Sequence, residues 1–408
     1  MADRSTAAPS RRIDVLDGLR GIAIVLVVLS HGWVLWSVDW FDAHWVIRPV
    51  MRSGNTAVTV FLVASGFLTY RALTSRRGTT GMHPEVTLLR RVLRVAPSLW
   101  VMLAVLMLVA AVDPTDKVSR SDNVSSVAHV VTYTWNWYVQ GNLLTSRPDF
   151  GHLWYLSVDM QAFVIMAVFL YVLRRRPVGV LFALTAFYLL LTWWRFHVAD
   201  TEFVFQVLVR TTARMDAFVL GVLVGAAVPL LKRLPVTQRA LNLTMVSALV
   251  LLVPLLWWNA ADPLGDGDHQ FLHFGGTFLQ LDLAVLIGAV ALSASLPAAV
   301  RAVGWAPLAF LGERSLLLYI WHFPVFRFVE RHSDGWGWVA GTLAALAITA
   351  VVCVVCELLI ERRVVALLRH RGWGRLDDGV LAYVGGIVRR RLPAQVRERL
   401  EPVDAGRR

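Results

Sequence analysis

The stretch DVLDGLRGIAIVLVVLSHGW at 14–33 decides the fold. It has the length needed to cross a bilayer as a helix, about 20 residues, and it is mostly apolar. Arg20 and His31 interrupt it. They are eleven positions apart, so they return to within about 20° of the same helix face and lie about 16 Å apart along the axis. Ionisable groups inside a spanning helix are costly, and both residues are therefore functional candidates.

The rest of the chain repeats this pattern. Of its 408 residues, 57% are hydrophobic and 17% are charged, whereas a soluble domain is nearer half apolar and a quarter charged. This composition excludes a disordered, fibrous or ordinary cytosolic protein. Ten apolar segments are long enough to span, at 15–36, 54–73, 92–112, 152–173, 178–197, 214–230, 240–258, 276–296, 307–328 and 337–359. We therefore predict an all-α polytopic transmembrane helix bundle of about ten spanning helices.

The polar ends of the chain set the domain boundaries. We expect a disordered N-terminus at 1–12, one membrane domain at 13–361 and a basic tail at 362–408, with a short interfacial helix near 379–391. The two cysteines, Cys353 and Cys356, lie inside an apolar run. Two buried small residues are the preferred interpretation and a redox pair the alternative; we expect no metal.

The formal charge of +12 comes almost entirely from arginine, since Lys117 and Lys232 are the only lysines. This composition resembles the product of a GC-rich genome, such as an actinobacterial one. With the N-terminus inside, the inner segments before the tail hold 15 Lys and Arg and the outer loops hold 7. The positive-inside rule then places both termini in the cytoplasm of a multi-pass plasma-membrane protein. It also explains the basic charge without nucleic acid as a partner.

The longest loop, at about 113–151, faces outside in this topology. It is polar, but it carries an aromatic cluster made of Tyr133, Trp135, Trp137 and Tyr138. Such a loop either covers a site or lies at the membrane interface.

Seven segments, taken together, carry a family resemblance. They are the Arg20-(ten residues)-His31 pair, GNTAVTVFLVASGFLTY at 54–70, RRVLRVAPSLW at 90–100, FGHLWYLSVDMQAF at 150–163, RMDAFVLG at 214–221, FLGERSLLLYIWHFPV at 310–325 and Glu361-Arg362. Their types and order resemble the integral-membrane acyltransferase-3 family along nearly the whole chain. Two departures stand out. Asp159 and Met160 replace the family's paired glutamates, and the chain ends soon after the last span, so we expect the membrane domain and its loops to recognise the acceptor.

The resemblance implies transfer of an acyl group from cytoplasmic acyl-CoA, here acetyl-CoA, to a hydroxyl. Arg20, Arg91 and Arg94 are then expected at the inner mouth, where guanidinium groups bind the phosphates of the donor. His31 is expected to be the general base, with Asp159, or else Asp216, on its other ring nitrogen. Ser65 is a hydrogen-bond donor or a covalent relay, although with Gly66 beside it helix packing is equally compatible.

The acceptor is expected at the outer end, as a glycolipid or polysaccharide of the cell envelope. The residues expected to bind it are His152, Trp154, Arg214, Asp216, Trp321 and His322. For His322 a purely structural role is an equal alternative. In length and style the chain is similar to mycobacterial enzymes that acetylate trehalose monomycolate, which we expect as the acceptor, with an envelope-lipid transporter as a partner.

Two other classes of protein are compatible with part of this pattern. Intramembrane charges also suit a transporter or flippase, but the sequence has no corresponding pair of broken helices in its two halves. A non-catalytic subunit of an envelope export assembly would use the basic tail for docking and would leave Arg20, His31 and the inner arginines without a function.

Overall fold

The computed structural model describes residues 7–36, 39–74, 82–261 and 270–369. Throughout these ranges the regular structure is helical and no strand occurs. The predicted all-α class is therefore confirmed.

The first half of the described chain contains ten α-helices and one 3-10 turn. They are α1 (Ala7–Leu35), α2 (Asp39–Ala43), α3 (Ile47–Met51), α4 (Gly54–Thr74), α5 (Pro84–Val112), α6 (Arg120–Val131), α7 (Trp135–Gly141), the 3-10 turn Pro148–Leu153, α8 (Trp154–Leu173), α9 (Pro177–Thr201) and α10 (Val204–Val209). The second half contains α11 (Thr211–Leu231), α12 (Gln238–Ala261), the 3-10 turn Gln270–Leu272, α13 (Phe274–Leu292), α14 (Ala298–Val303), α15 (Ala306–Glu313), α16 (Ser315–His332), α17 (Trp338–Cys356), a π turn at Glu357–Glu361 and α18 (Arg362–Arg369).

Nine helical segments in the described ranges are long and apolar enough to cross a membrane. They correspond to nine of the ten predicted spans. The tenth, at 307–328, is divided between α15 and α16, which meet at Arg314. The Arg314 guanidinium is held by Glu357, with Nε 2.9 Å from Oε2. Moreover, α16 ends in a charged stretch that contains Arg327, Glu330 and Arg331, which lowers its hydropathy.

The N-terminal end of the described chain differs from the sequence prediction. Residues 7–12, expected as part of a disordered end, are the first turns of α1. Extending an existing helix costs little once it is nucleated, and Pro9 is tolerated in a first turn. The interfacial helix predicted near 379–391 lies outside the described residues.

Glycines bring the central helices into backbone contact. A Cβ on Gly66 of α4 would lie 2.0 Å from the Phe218 carbonyl oxygen of α11, and one on Gly221 would lie 2.1 Å from that of Val63. On α1, a Cβ on Gly21 would lie 2.0 Å from the Leu308 carbonyl oxygen. Small residues permit such close crossings in membrane bundles. These crossings fix the positions of the functional candidates on α1 and α4.

The long loop between α5 and α8 is packed onto the bundle through buried charges. Arg147 is fully buried and its Nη2 lies 2.6 Å from Asp116 Oδ2 and 2.8 Å from Asp149 Oδ2. Arg331, at the end of α16, also binds Asp149, at 2.8 Å. The loop is thereby tied to α16, and its Trp135 is completely buried.

Candidate active site

Arg20 and His31 of α1 both face the same neighbouring helix, α16. Arg20 Nη2 donates to Ser315 Oγ at 2.9 Å, at the first residue of α16. His31 Nδ1 lies 2.8 Å from His322 Nε2, two turns further along α16. The prediction that Arg20 and His31 share one helix face is confirmed by these contacts.

The hydrogen bonds of His322 determine the tautomers of both rings. Its Nδ1 lies 2.9 Å from the carbonyl oxygens of Leu318 and Tyr319, which only accept, so this nitrogen carries the hydrogen. In a neutral ring Nε2 is then the acceptor, and His31 Nδ1 must donate to it. His31 is left with the lone pair on Nε2. A partly exposed imidazole with that lone pair can act as a base.

His152 completes a histidine cluster with His31 and His322. The His152 ring centroid lies 6.4 Å from that of His31 and 5.3 Å from that of His322. His152 Nε2 lies 3.3 Å from the Ile320 carbonyl oxygen, so it is the donor, and its buried Nδ1 has no partner in the described part of the chain. Within the described part of the chain, no group of three or more His, Cys, Asp or Glu side chains is arranged to hold a metal ion.

The expected pairing of His31 with a carboxylate is wrong. Asp159 binds Arg91 and Ser65, and Asp216 binds Arg195, so neither is the partner of the His31 ring. A neutral imidazole takes that place, because α16, which carries His322, packs directly against α1.

Arg91, Asp159 and Ser65 form a second group, the carboxylate cluster. Arg91 Nη2 donates to Ser65 Oγ at 2.8 Å and also to Asp159 Oδ2. Ser65 Oγ in turn donates to Asp159 Oδ1 at 2.7 Å. Arg91 Nη1 reaches Thr69 at 3.3 Å, and the guanidinium lies over the Phe163 ring at 4.8 Å. The cluster joins α4, α5 and α8.

This cluster corrects the predicted arrangement of opposite ends. Arg91 was expected at the inner mouth and Asp159 at the outer end, but their side chains touch. Arg91 lies seven residues into the 29-residue α5, and Asp159 lies five residues into α8. The two charges therefore meet within the bundle.

Two tyrosines bridge the clusters. Tyr319 donates its hydroxyl to the His152 carbonyl oxygen, and its ring centroid lies 5.3 Å from that of Tyr155. The phenol of Tyr155 is within electrostatic range of Asp159 and Arg91. The sequence analysis did not select either tyrosine. Tyr319 lies in LLLYIWH and Tyr155 lies in HLWYLS, each close to predicted site residues, but neither motif indicates that the phenol contacts another helix.

Arg20 and Arg94 belong to a third group of charged residues, besides the histidine cluster and the carboxylate cluster. Arg20 Nη1 binds Asp17 Oδ1 at 2.8 Å. Arg94 is exposed at the surface of the fold, within electrostatic range of Arg20, Asp17 and Glu361. Glu361 accepts a hydrogen bond from Ser98, one turn after Arg94. These contacts place the terminal Glu-Arg motif beside α5.

Arg214 and Asp216 belong to a separate buried network. Asp216 Oδ2 lies 2.9 Å from Arg195 Nε and accepts from Gln280 at 3.0 Å. Arg214 donates to the Asn55 carbonyl oxygen at 3.3 Å. Arg195 was missed, although a lone arginine in the apolar run TWWRFH was a usable signal. The network links α4, α9, α11 and α13.

The two predicted tryptophans face different neighbours. Trp154 lies under the Arg214 guanidinium, with 5.6 Å from the Arg214 Cζ to the ring centroid. Trp321 is buried beside Cys356 of α17, on another side of α16 from the histidine cluster. Roles of these side chains in binding a substrate stay predictions.

Comparison with known proteins gives the same family as the motifs. The family model described as an acyltransferase domain, of the acyltransferase-3 type, matches residues 13–359. A Komagataeibacter xylinus protein that carries the name of a membrane-bound transacylase is 26% identical over 419 residues, covering 93% of this chain and 94% of that protein. A Staphylococcus aureus protein that carries the name of an O-acetyltransferase is 25% identical over 340 residues.

The coverage of the relatives differs. The staphylococcal match includes 79% of this chain but 52% of that relative, so the chain spans about half the length of the staphylococcal proteins. A Caenorhabditis elegans protein named regulator of hypoxia-inducible factor 1 is 30% identical over 188 residues, or 41% of this chain and 36% of its own. No solved structure matches. Because the family model covers nearly all of the helical bundle, the chain belongs to the acyltransferase-3 family of multi-pass membrane acyltransferases.

Proposed function

We propose that this protein transfers an acetyl group from cytoplasmic acetyl-CoA to a hydroxyl of a cell-envelope glycolipid or polysaccharide, with trehalose monomycolate as the first candidate. The plasma membrane is the proposed location. The observation that carries the proposal is the contact between His31 Nδ1 and His322 Nε2, which leaves the lone pair of His31 Nε2 for a substrate proton.

In the proposed reaction His31 is the general base. Its Nε2 takes the proton of the acceptor hydroxyl as that oxygen attacks the thioester carbonyl carbon. The new C–O bond forms, the C–S bond breaks, and the proton passes from His31 to the departing thiolate. His322 stabilises the transient His31 imidazolium by accepting from Nδ1, and its own Nδ1–H is held by two carbonyl oxygens.

The donor phosphates are assigned to Arg20 and Arg94. Arg94 supports this assignment best, because it is exposed and lies near a second guanidinium, which raises the local positive potential. Arg91 is less available for a phosphate than the sequence suggested, since its Nη2 is directed to Asp159 and Ser65. We assign Ser65 to holding this pair in place, because its hydroxyl accepts from Arg91 and donates to Asp159 at the same time.

The test is His31→Ala in purified, reconstituted protein. Labelled acetyl-CoA is supplied together with the glycolipid and glycan extract of cells that lack the protein, which contains the unacetylated acceptor. Loss of the base should lower transfer by about 10²–10⁴-fold with unchanged insertion. His129→Ala, in the loop between α5 and α8, is the matched control and should stay active. A His31→Ala protein with half of the wild-type turnover would contradict the assignment.

Sidedness is tested separately in sealed vesicles of known orientation. Acetyl-CoA should be used from the cytoplasmic face and a membrane-impermeant acceptor from the opposite face. Efficient transfer with both substrates on the cytoplasmic face would refute the transmembrane route and leave the acyltransferase assignment intact.

A further inference from the structure

Tyr133 has a backbone conformation that demands an explanation. It lies between α6 and α7, and its φ is 54°; among the described residues it is the one non-glycine residue with positive φ. Bulky side chains avoid this left-handed region because of steric strain. Such strain persists where the surroundings impose it, and it concentrates at functional positions.

A buried polar network holds the Tyr133 turn in place. Gln161 of α8 donates through Nε2 to the Tyr133 carbonyl oxygen at 2.6 Å and to Asn136 Oδ1 at 2.9 Å. Asn136 donates to the Val209 carbonyl oxygen at 3.1 Å and to Thr211 Oγ1 at 2.9 Å. The loop is therefore fastened to α8, α10 and α11 at this point, half a turn past Asp159 on α8.

The same turn places a phenol within electrostatic range of the carboxylate cluster. The Tyr133 ring is partly buried against the core, and its hydroxyl oxygen is buried without a hydrogen-bond partner among the described residues. The charges of Arg91 and Asp159 both act on it. Burial raises the pKa of Tyr133 to about 12, with opposing smaller effects of Arg91 and Asp159, so the hydroxyl is a donor at any physiological pH.

The chemistry around Tyr133, Arg91 and Asp159 favours an alcohol over a carbonyl as the group that binds there. Asp159 accepts from Arg91 and Ser65, and a carboxylate retains further lone pairs for another donor. A thioester oxygen only accepts and would be repelled by that carboxylate. A hydroxyl can donate to Asp159 and accept from Tyr133 at the same time, so it satisfies both groups.

We propose that Tyr133 is a specificity-determining residue that hydrogen-bonds a hydroxyl oxygen of the acyl acceptor, a polyol, beside Arg91 and Asp159. The inference rests on the proposed function and adds the loop residue that recognises the acceptor. It also gives the loop between α5 and α8 a direct part in binding, beyond covering the bundle.

The test compares Tyr133→Phe with wild-type protein in the acetyl-transfer assay. The extract of cells lacking the protein is titrated by dilution to give an apparent KM for the acceptor, and acetyl-CoA is titrated separately. Loss of one neutral hydrogen bond should raise the acceptor KM by about 2- to 13-fold. The KM for acetyl-CoA should not rise, and the thermal unfolding midpoint should not fall.

Two further variants sharpen the result. Tyr138→Phe is the matched control, since Tyr138 lies in the same loop and stacks on His129 with 4.4 Å between ring centroids. Tyr133→His tolerates positive φ better and keeps a ring N–H donor, so it should bind the acceptor better than Tyr133→Phe. If Tyr133→Phe fails to insert, Tyr133→His decides: an acceptor KM more than 13-fold above wild type overturns the proposal.

Three outcomes would overturn the inference while wild-type protein is active. They are an unchanged acceptor KM in Tyr133→Phe, a raised acetyl-CoA KM instead, or a lowered unfolding midpoint that accounts for the loss of activity. Absence of any transfer by wild-type protein would overturn the proposed function and, with it, the acceptor assigned to Tyr133.

Discussion

Replacement of His322 by alanine tests the histidine pair most directly. His322 is fully buried and accepts the hydrogen of His31 Nδ1 at 2.8 Å. Its removal leaves that donor without a partner in a desolvated position, which costs about 1–3 kcal/mol. Because this cost falls on the orientation and charging of His31 in the transition state, kcat/KM should fall by roughly 5- to 160-fold.

The assay is acetyl transfer into the acceptor extract, measured for single and double variants. His31→Ala should lose about 10²–10⁴-fold, and adding His322→Ala to it should change little further, because His322 acts through His31. His322→Gln, whose amide oxygen can accept, should recover part of the loss. Wild-type activity in His322→Ala, or losses that add fully in the double variant, would refute this reasoning.

Three other substitutions test the remaining features. Arg94→Ala should raise the KM for acetyl-CoA by about 13- to 160-fold, which is the equivalent of one charge-assisted hydrogen bond. Arg174→Ala is the control and should leave this KM unchanged, because the Arg174 guanidinium bonds a carbonyl oxygen of its own helix. Equal KM values for the two variants would contradict the donor assignment. Gly66→Ala should destabilise the protein by at least about 1–3 kcal/mol in thermal unfolding, because its Cβ would collide with α11, whereas Gly141→Ala, with open space around it, should be neutral. Arg147→Met should leave Asp116 and Asp149 buried with less compensation and cost about 3–5 kcal/mol, which proteolysis of the loop after α5 would report as faster cleavage; an unchanged rate would show that the ion pairs do not hold the loop.

Sequence periodicity was sufficient wherever one helix decides the geometry. Arg20 and His31 share a face because both lie on the uninterrupted α1, and the helical repeat alone predicts this. The same reasoning located eight further spans, since long apolar runs have few alternatives in a membrane.

Contacts between helices were beyond that reasoning. The pairing of Arg91 with Asp159 depends on how α5 and α8 are set against each other, and no spacing in the sequence encodes it. The predicted partner of His31 was wrong for the same reason. A carboxylate was expected on chemical grounds, whereas the packing of α16 on α1 places the imidazole of His322 there. The positive φ of Tyr133 also comes from tertiary hydrogen bonds, because a local preference would have selected glycine or asparagine.

The buried pair of Arg195 and Asp216 has a consequence for membrane insertion. Alone, an arginine or an aspartate in a spanning helix opposes insertion, by about 2.5–3.5 kcal/mol at the helix centre and by less towards the helix ends, where Arg195 and Asp216 lie. The two residues are 21 positions apart, on α9 and α11, with only the short α10 between these helices. At about 5–20 residues per second, the ribosome delivers the second charge within roughly 1–4 s of the first. The α9–α11 hairpin can therefore leave the translocon as one electrically compensated unit, whereas a protein with Asp216→Asn would present Arg195 to the lipid without its counter-ion.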